Sequence, residues 1–408
     1  MNRKTFISLV LILGSLTALG PFSIDMYLPG FPAIAESLNT TVSHVSLSLS
    51  SYFIGISAGQ LLYGPLLDRF GRKPPLFIGL ALYILASVGC SFATTIDQLV
   101  ILRFIQAVGS CAAAVASIAM VRDLFPVEDN AKVFALLFLV VGASPMIAPT
   151  VGSYVTAAWG WTSVFWVLAG MGILLFLACV YYLPDSYKPD TSLSLKPGPI
   201  ISNFLSVIRE PQFYTYAIAG SFAFSGLFAY VAGSPLLFMK VFGLGEKTYG
   251  WIFAALSVGF IGSNQLNTLV LRKFRSEQIV PVAMLLQSIT GIVFLTGTVN
   301  GWFGLGVTLF LLFIYLSCLG FTNPNTSALS LAPFSRNAGS ASALMGAMQM
   351  GIGTLASVCV SLFDEKAGAV PMVAVMMVSS IIALGILLLG RRNIAELTVG
   401  NGPGMAVH

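Results

Sequence analysis

The sequence contains few charged residues. Only 9% of its 408 residues are Asp, Glu, Lys or Arg, whereas soluble domains have about 25%. Hydrophobic residues make up 57% of the chain and the mean hydropathy is +0.90, which excludes an ordinary soluble protein. We therefore predict an all-α integral membrane protein with twelve transmembrane helices, since twelve apolar runs approach or exceed the ~20 residues that a spanning helix needs. The runs are 6–34, 43–66, 75–94, 98–121, 132–157, 161–183, 212–239, 248–271, 278–298, 302–330, 337–362 and 369–390.

The chain also lacks the residues on which most enzymes and ATP-driven pumps depend. Its two histidines, His44 and His408, lie outside the apolar runs, and its five cysteines lie inside them without paired or metal-ligand spacing. No G-x-x-x-x-G-K motif followed by Ser or Thr is present, so ATP hydrolysis is not supported. We expect no enzyme, no metal and no cofactor. The net charge of +5 reflects membrane topology, so no nucleic-acid partner is expected.

The distribution of Lys and Arg predicts the topology. If the N-terminus is cytoplasmic, sixteen of these residues fall on the inside and only Lys240, Lys247 and Lys366 on the outside, with Arg103 inside a run. The positive-inside rule then places both termini in the cytoplasm. The longest polar stretch predicts a linker that divides the chain into two halves, an arrangement common in transporters that alternate access around a central site. The predicted domains are a six-helix half at 1–183, the linker at 184–211, a second half at 212–392 and a cytoplasmic tail at 393–408.

An acidic residue lies late in the first apolar run. An ionised Asp25 in the hydrocarbon costs ~2.5 to 3.5 kcal/mol, so such a residue usually faces a wet cavity or a counter-charge and marks a proton or ion path. Arg103 lies at a similar depth, ~8 Å from the outer end of the fourth run at 1.5 Å per residue. We therefore hypothesise that Asp25 and Arg103 interact, directly or through water, and that Asp25 takes up a proton when they separate. A permanent structural salt bridge is the alternative.

The segment Gly64–Lys73 resembles the loop 2-3 motif of the major facilitator superfamily, G-x-L-x-D-R-x-G-R-K, at every fixed position. Its glycines permit a tight reversal and its basic residues hold the loop inside. Asp68 can pair with Arg72 or meet the positive N-terminal end of another helix. The resemblance implies the major facilitator fold and a contact with helix 11 that latches the outward-facing form, whereas a simple topogenic turn is the alternative. The predicted latch residues are Gly64, Asp68, Arg69, Gly71 and Arg72.

Two further segments resemble motifs of proton-coupled drug exporters in this superfamily. Residues 103–109 match R-x-x-Q-G-x-G of helix 4, with Ala107 in place of one glycine. Residues 142–153 match the helix 5 motif G-x-x-x-G-P-x-x-G-G in part, with Ala148 and Ser153 in place of glycines. One helical face of this segment permits close approach of a neighbour while its prolines bend the backbone; the resemblance implies packing on helix 8 that limits leak, and an ordinary packing seam is the alternative. That face is formed by Gly142, Pro145, Pro149 and Gly152.

The segments 23–29 and 120–126 resemble the bicyclomycin-resistance and chloramphenicol-efflux branch of the superfamily. The resemblance implies a multi-pass protein of the bacterial inner membrane, surrounded by lipid and sufficient as a monomer, that exports small lipophilic molecules in exchange for protons. A narrow exporter of a metabolite, amino acid or siderophore, a proton symporter, and a channel or sensor are the alternatives. Aromatic residues around one acid suit neutral or cationic lipophilic compounds. The candidate substrate-binding residues are Tyr27, Tyr52, Gln60, Gln106, Phe228, Tyr230, Asn264, Asn325 and Gln349.

Overall fold

The computed structural model describes residues 3–125, 127–187, 189, 197–334 and 338–400. Regular structure in these ranges is helical throughout, which confirms the predicted all-α class. The α-helices are α1 (Arg3–Asp25), α2 (Phe31–Ser37), α3 (Val42–Phe70), α4 (Lys73–Ser91), α5 (Ile96–Leu124), α6 (Val127–Trp159), α7 (Thr162–Tyr182), α8 (Pro197–Ile208), α9 (Pro211–Pro235), α10 (Glu246–Val270), α11 (Ser276–Val299), α12 (Leu305–Leu331), α13 (Ala338–Ser361) and α14 (Val370–Gly400).

Eleven segments of the described chain are both long and apolar enough to cross a membrane. The remaining long helix, α10, has 25 residues, or ~37 Å at 1.5 Å per residue, which is sufficient length for a span. Its mean hydropathy is lowered by polar residues such as Asn264, Gln265 and Asn267. Because α10 packs against α6 and α12, part of this polar surface is covered by protein, and the twelve predicted spans correspond to twelve long helices.

The long helices pack in two groups that follow the order of the chain. Helices α1 and α3 to α7 contact one another, as do α9 to α14, and the two groups meet where α3 contacts α9 and α13 and where α6 contacts α10. The boundaries predicted for the two halves stay a prediction. Helix α14 continues to Gly400, through the first part of the predicted tail, and residues 401–408 lie outside the described residues.

The predicted linker contains a helix that the sequence analysis did not identify. Helix α8 begins at Pro197, a position where the missing N–H of proline costs no intrahelical hydrogen bond. Val207 near its end is fully buried in a small cluster with Phe213 and Ala341. The linker is therefore in part a packed element. Residues 188 and 190–196 lie outside the described residues.

A proline ends α1 at the acid singled out in the sequence. Pro29 has no N–H, so it cannot donate to the carbonyl of Asp25 four residues earlier. The chain leaves the helix there, forms a short 3₁₀ turn at Leu28–Gly30 and resumes as α2. This turn is fully buried and contacts α6, α9 and α10. Asp25 thus lies where the backbone changes direction, beside both halves.

The bundle has two distinguishable ends. The terminal end holds the start of α1 and the residues around Arg391, and the distal end holds the turn at 38–41 and Glu365. Hydrogen bonds join α3 to the other half along the distal part of the helix. At its distal end the Val42 N–H donates to Glu365, and near its middle the Ser57 hydroxyl donates to the carbonyl of Ala347 at 3.3 Å.

Four serines lie between these two contacts and form what we name the distal seam: Ser46, Ser50, Ser357 and Ser361. The Ser361 hydroxyl donates to Ser46 at 2.9 Å, and the hydroxyls of Ser50 and Ser357 are hydrogen-bonded at 2.7 Å. Ser46 also donates to the carbonyl of Ala232 in α9 at 3.2 Å. Hydroxyl groups thus hold the distal parts of the two halves together.

Candidate functional site

Asp25 faces the half of the protein to which it does not belong. The residue is 5% exposed, and its carboxyl group has no hydrogen bond or ion pair to any residue that the structure describes. The turn Leu28–Gly30 that follows it contacts α9 and α10, and Tyr230 of α9 and Tyr249 of α10 lie within range of its charge. The Tyr249 hydroxyl is bonded to Ser234 at 2.9 Å, whereas the buried Tyr230 hydroxyl has no hydrogen-bond partner. One acid and one unpaired phenol are thus brought together from opposite halves.

Arg103 is buried on the other side of α1. It is 0% exposed, and its guanidinium donates to the carbonyl of Ser23 at 2.9 Å and to Oε1 of Gln106 at 2.6 Å. The guanidinium also lies over the rings of Tyr27 and Tyr52, at 4.6 and 4.2 Å from their centroids. Aromatic faces and neutral oxygens therefore stabilise this cation, since the described ranges contain no carboxylate within ion-pair distance of it.

The predicted direct interaction between Asp25 and Arg103 is wrong for this structure. Arg103 bonds the backbone of Ser23, only two residues before the acid. The Ser23 side chain faces the first half, since its hydroxyl is bonded to that of Tyr83 in α4 at 2.7 Å. Two residues turn an α-helix by ~200°, so the side chain of Asp25 points to nearly the opposite face. The depth of the two charges in the membrane can be predicted from the sequence, whereas the face of α1 that each meets depends on the packing.

Three predicted substrate-binding residues form the surroundings of Arg103. Tyr27, Tyr52 and Gln106 are at most 1% exposed, and each uses its polar group inside its own half. Their partners are Ser48 for Tyr27, Ser110 for Tyr52, and both Arg103 and Ser87 for Gln106. In this structure they surround Arg103, and their role in substrate binding stays a prediction. We name Arg103 with these three residues the arginine cage.

The other candidates divide between the space between the halves and the interior of the second half. Phe228 packs edge-on against Phe53 of the first half at 4.5 Å, and Gln349 is partly exposed and donates to Asn323 at 3.1 Å. Asn325 is instead buried within the second half, where it donates to Asn267 at 2.7 Å. Asn264 is exposed on α10.

One candidate amide lies at the contact between α3 and α13. The Oε1 atom of Gln60 is buried and has no hydrogen-bond partner, and it lies beside Gly346 of the other half. Four candidate substrate-binding residues therefore lie at or near the contact between the halves: Gln60, Phe228, Tyr230 and Gln349. Their amide and aromatic groups can contact a small lipophilic molecule that has a few polar groups.

The loop 2-3 motif occupies the terminal end of α3. Helix α3 continues to Phe70, so Gly64 lies inside the helix and only Gly71, with φ of 83°, makes the reversal. This corrects the prediction that both glycines serve the turn. Asp68 pairs with Arg72 at 2.6 Å, which is one of the two contacts predicted for it. The latch contact with helix 11 (here α13), which the resemblance implies for the outward-facing form, stays a prediction.

Arg72 connects this loop to α5 and to the linker. Its Nε atom donates to Asp123 at 2.8 Å, and its guanidinium lies 4.1 Å from the ring centroid of Tyr187. The Ser186 hydroxyl also donates to Asp123, at 3.3 Å. Burial alone would lower the pKa of Arg72, but its hydrogen bonds to Asp123 and Asp68 outweigh this and raise that pKa. We name this group of five residues the linker clasp.

The helix 5 motif contributes backbone acceptors as well as small residues. Pro145 cannot donate to Val141 and Pro149 cannot donate to Pro145, so two carbonyls are freed inside α6. Ser144 donates to the first at 2.8 Å, and Ser257 of α10 donates to the second at 3.4 Å.

The motif's two glycines meet different neighbours. Gly142 faces Ile261 of α10. Gly152 lies directly against the backbone of Met26, just after the acid. This segment of α6 therefore packs on both α10 and the buried turn after α1.

The distal seam, Tyr249 and Tyr187 are site features that were not predicted from the sequence. The seam had a detectable signal, because Ser46 and Ser50, like Ser357 and Ser361, are four residues apart within apolar runs. Such spacing places both hydroxyls of a pair on one helix face, where small polar residues commonly join membrane helices. The contacts of Tyr249 and Tyr187 depend on the tertiary structure and leave no such pattern.

Comparison with known proteins places these features in a family. A family model described as Major Facilitator Superfamily matches residues 13–358. The chain is 32% identical over 382 residues to the uncharacterised MFS-type transporter YdgK of Bacillus subtilis, covering 93% of this chain and 94% of the relative. It is 30% identical over 358 residues to the bicyclomycin resistance protein homolog of Haemophilus influenzae (87% and 88%). It is 31% identical over 353 residues to the multidrug resistance protein MdtL of Escherichia coli (86% and 86%).

Solved structures agree on the fold. A crystal structure of a bacterial homolog to the human lysosomal transporter Spinster, in an inward-facing and occupied conformation, has a TM-score of 0.76 at 14% identity and covers 96% of this chain and 98% of its own. A crystal structure of a D-xylose-proton symporter has a TM-score of 0.74 at 16% identity and covers 93% and 97%. With the two helical groups and the loop 2-3 motif, these matches identify the chain as a multi-pass membrane transporter of the major facilitator superfamily.

Proposed function

We propose that this chain is a proton-coupled antiporter that exports small lipophilic molecules, such as antibiotics, from the bacterial cytoplasm across the inner membrane. The observation that carries the proposal is Asp25, a buried acid without a counter-charge that faces the opposite half of the transporter. Ionisable residues inside a membrane bundle typically mark proton or ion paths. Because Asp25 lies at a contact between moving halves, its access to water changes with the conformation.

The orientation follows from the distribution of Lys and Arg, which favours a cytoplasmic terminal end. The hydrogen-bonded distal end is then the outer end, which is closed in this structure. Protons from outside reach Asp25 once the distal seam opens, and protonation releases the substrate. The protonated carrier returns inward, loses its proton to the cytoplasm and binds the next substrate molecule. One chain contains both halves, so a monomer is sufficient for this cycle.

Export of lipophilic compounds is favoured by two observations. Phe228 and Tyr230 are aromatic residues at or near the contact between the halves, and the amides of Gln60 and Gln349 lie near the same contact. Sites for drug-sized molecules typically combine aromatic residues with a few polar groups in this way. The names of two relatives refer to bicyclomycin resistance and multidrug resistance. An exporter of one metabolite, amino acid or siderophore would use the same machinery with a narrower choice of substrate.

The proposal is tested in everted membrane vesicles with an imposed pH gradient. A panel of lipophilic antibiotics is added, and proton movement is followed with a pH-sensitive dye. We expect substrate-induced proton flux with the parent protein and none with Asp25→Asn. Asp97→Asn serves as the matched control, because Asp97 is an exposed acid in the first turn of α5, and it should retain the flux.

Each outcome separates the alternatives. Flux that persists in Asp25→Asn would overturn the assignment of the proton to this residue. Proton movement in the same direction as the substrate would replace antiport by symport. Conductance without coupled proton flux would indicate a channel, and binding without any flux would indicate a sensor.

A further inference from the structure

A groove of about 640 Å³ opens on the surface of the second half, towards the terminal end of the bundle. It lies between α11 and α12 and reaches the loop that joins α10 to α11. Most of its walls are apolar, with Ser317 and Gln278 as the polar exceptions. The groove is lined by Val270, Phe274, Gln278, Ile279, Val282, Ala283, Leu286, Phe313, Ile314, Ser317, Cys318 and Phe321.

The groove has the depth of one leaflet. On α11 it extends from Gln278 to Leu286, and on α12 from Phe321 to Phe313, so each wall covers eight residue steps or ~12 Å. Half of the hydrocarbon core is ~15 Å thick. A groove of this length, open beside exposed apolar residues such as Val282 and Leu286, can take an acyl chain from the leaflet at the terminal end.

Three basic residues lie in the loop at the end of the groove. Arg272, Lys273 and Arg275 are exposed in the loop that also contributes Phe274 to the groove. None of the three has a salt bridge with a residue that the structure describes. The exposed Glu277 at the start of α11 is the acid beside them, so the mouth keeps an excess of positive charge. An apolar groove and a cluster of basic residues thus lie next to each other on this surface.

We propose that this groove is a binding site for an anionic phospholipid, with an acyl chain between α11 and α12 and the headgroup phosphate at Arg272, Lys273 and Arg275. The charges of the mouth match the headgroup, and the apolar walls match the chain. Basic residues at a membrane surface each contribute about a five-fold gain in affinity for anionic lipid. Neutralising three of them should therefore weaken binding by roughly a hundred-fold, reduced by salt screening. The site is separate from Asp25 and does not depend on the proposed transport activity.

The experiment measures lipid binding to the purified full-length protein by native mass spectrometry. Phosphatidylglycerol and phosphatidylcholine with identical acyl chains are added at equal concentrations. We expect phosphatidylglycerol adducts to predominate on the parent protein. The triple variant R272Q/K273Q/R275Q should lose this preference, whereas R209Q/K240Q/K247Q, which removes the same number of charges elsewhere, should keep it. Leu286→Trp, which narrows the groove without changing its charge, should reduce binding of both lipids.

Two results would overturn the proposal. Equal binding of the two lipids to the parent would show that the groove holds only bulk lipid, and an undiminished preference in the triple variant would place the headgroup elsewhere. Displacement of phosphatidylglycerol by millimolar inorganic phosphate alone would show that the acyl chain contributes nothing, which also contradicts the site. If the triple variant fails to elute as a folded monomer, the single variants R272Q and R275Q are compared, and each should lower the preference about five-fold.

Discussion

The guanidinium of Arg72 lies over the ring of Tyr187, at 4.1 Å from its centroid. This contact ties the loop between α3 and α4 to the first residues of the linker. Lys73 and Asp185 form a second tie beside it, at 3.2 Å. The segment that connects the two halves is thus attached to the loop between α3 and α4 by two side-chain contacts.

Replacing Tyr187 by Ala should loosen this attachment. A partly buried cation–π contact contributes about 1 kcal/mol, or about a five-fold change in the opening equilibrium. The free energy of unfolding, measured by thermal unfolding in detergent, should therefore fall by about 1 kcal/mol in Tyr187→Ala. Tyr187→Phe retains the aromatic face and is the control that should keep the parent stability. Equal stability of all three proteins would contradict the linker clasp.

Arg103 should stabilise the protein without any contribution from Asp25. Arg103→Gln removes two charge-assisted hydrogen bonds and the ring contacts, so we expect a loss of about 2 to 4 kcal/mol in the free energy of unfolding. The double variant D25N/R103Q, compared with both single variants by thermal unfolding in detergent, should show additive effects within about 0.5 kcal/mol. A coupling of about 3 kcal/mol would instead reveal a buried ion pair.

Glycine should be required at position 152 of the helix 5 motif and replaceable at position 64 of the loop 2-3 motif. A Cβ at Gly152 would overlap the backbone of Met26, which has no freedom to move aside. Gly152→Ala should therefore destabilise the protein by about 1 to 3 kcal/mol. A Cβ at Gly64 meets nothing within 4 Å, so Gly64→Ala should be neutral or gain up to about 1 kcal/mol from helix propensity. Melting temperatures of the two variants check this contrast, and a reversed order would contradict the packing.

The distal seam should open during transport. The hydroxyls of Ser50 and Ser357 are 2.7 Å apart, a separation that favours a disulfide once both residues are cysteine. In a Cys359→Ser background, which removes the exposed native thiol, S50C/S357C should cross-link under mild oxidation and lose transport until reductant is added. S50C alone should remain active under both conditions. Full transport by the cross-linked protein would show that the seam stays closed throughout the cycle.

The fold was predictable because hydropathy and charge act over whole segments. Twelve apolar runs and the distribution of Lys and Arg require no knowledge of which helix meets which. The loop motif gave the Asp68–Arg72 pair for a similar reason, since residues four apart on a helix lie on one face. Helix α8 was less accessible, because its short apolar pattern follows a polar stretch rich in proline.

The site was less predictable because it depends on the direction in which each side chain points. Asp25 and Arg103 can be identified from the sequence as intramembrane charges. In the structure, however, Arg103 bonds within the first half, whereas Asp25 precedes the turn that contacts α9 and α10. Tyr27 and Tyr52 were expected in a cavity because aromatic residues line many sites. Their position beside a buried cation could not be predicted without the packing of α3 and α5.

The distal seam has a further property in its hydrogen-bond geometry. A hydroxyl group has one proton, and each of two seam hydroxyls has a second acceptor within reach: the carbonyl of Ser46 lies 3.3 Å from the Ser50 hydroxyl, and the carbonyl of Ser357 lies 2.8 Å from the Ser361 hydroxyl. When the halves separate, these two hydroxyls can each donate to the carbonyl one turn back on their own helix. Opening the seam therefore strands neither of these donors in an apolar medium, which lowers the cost of breaking it.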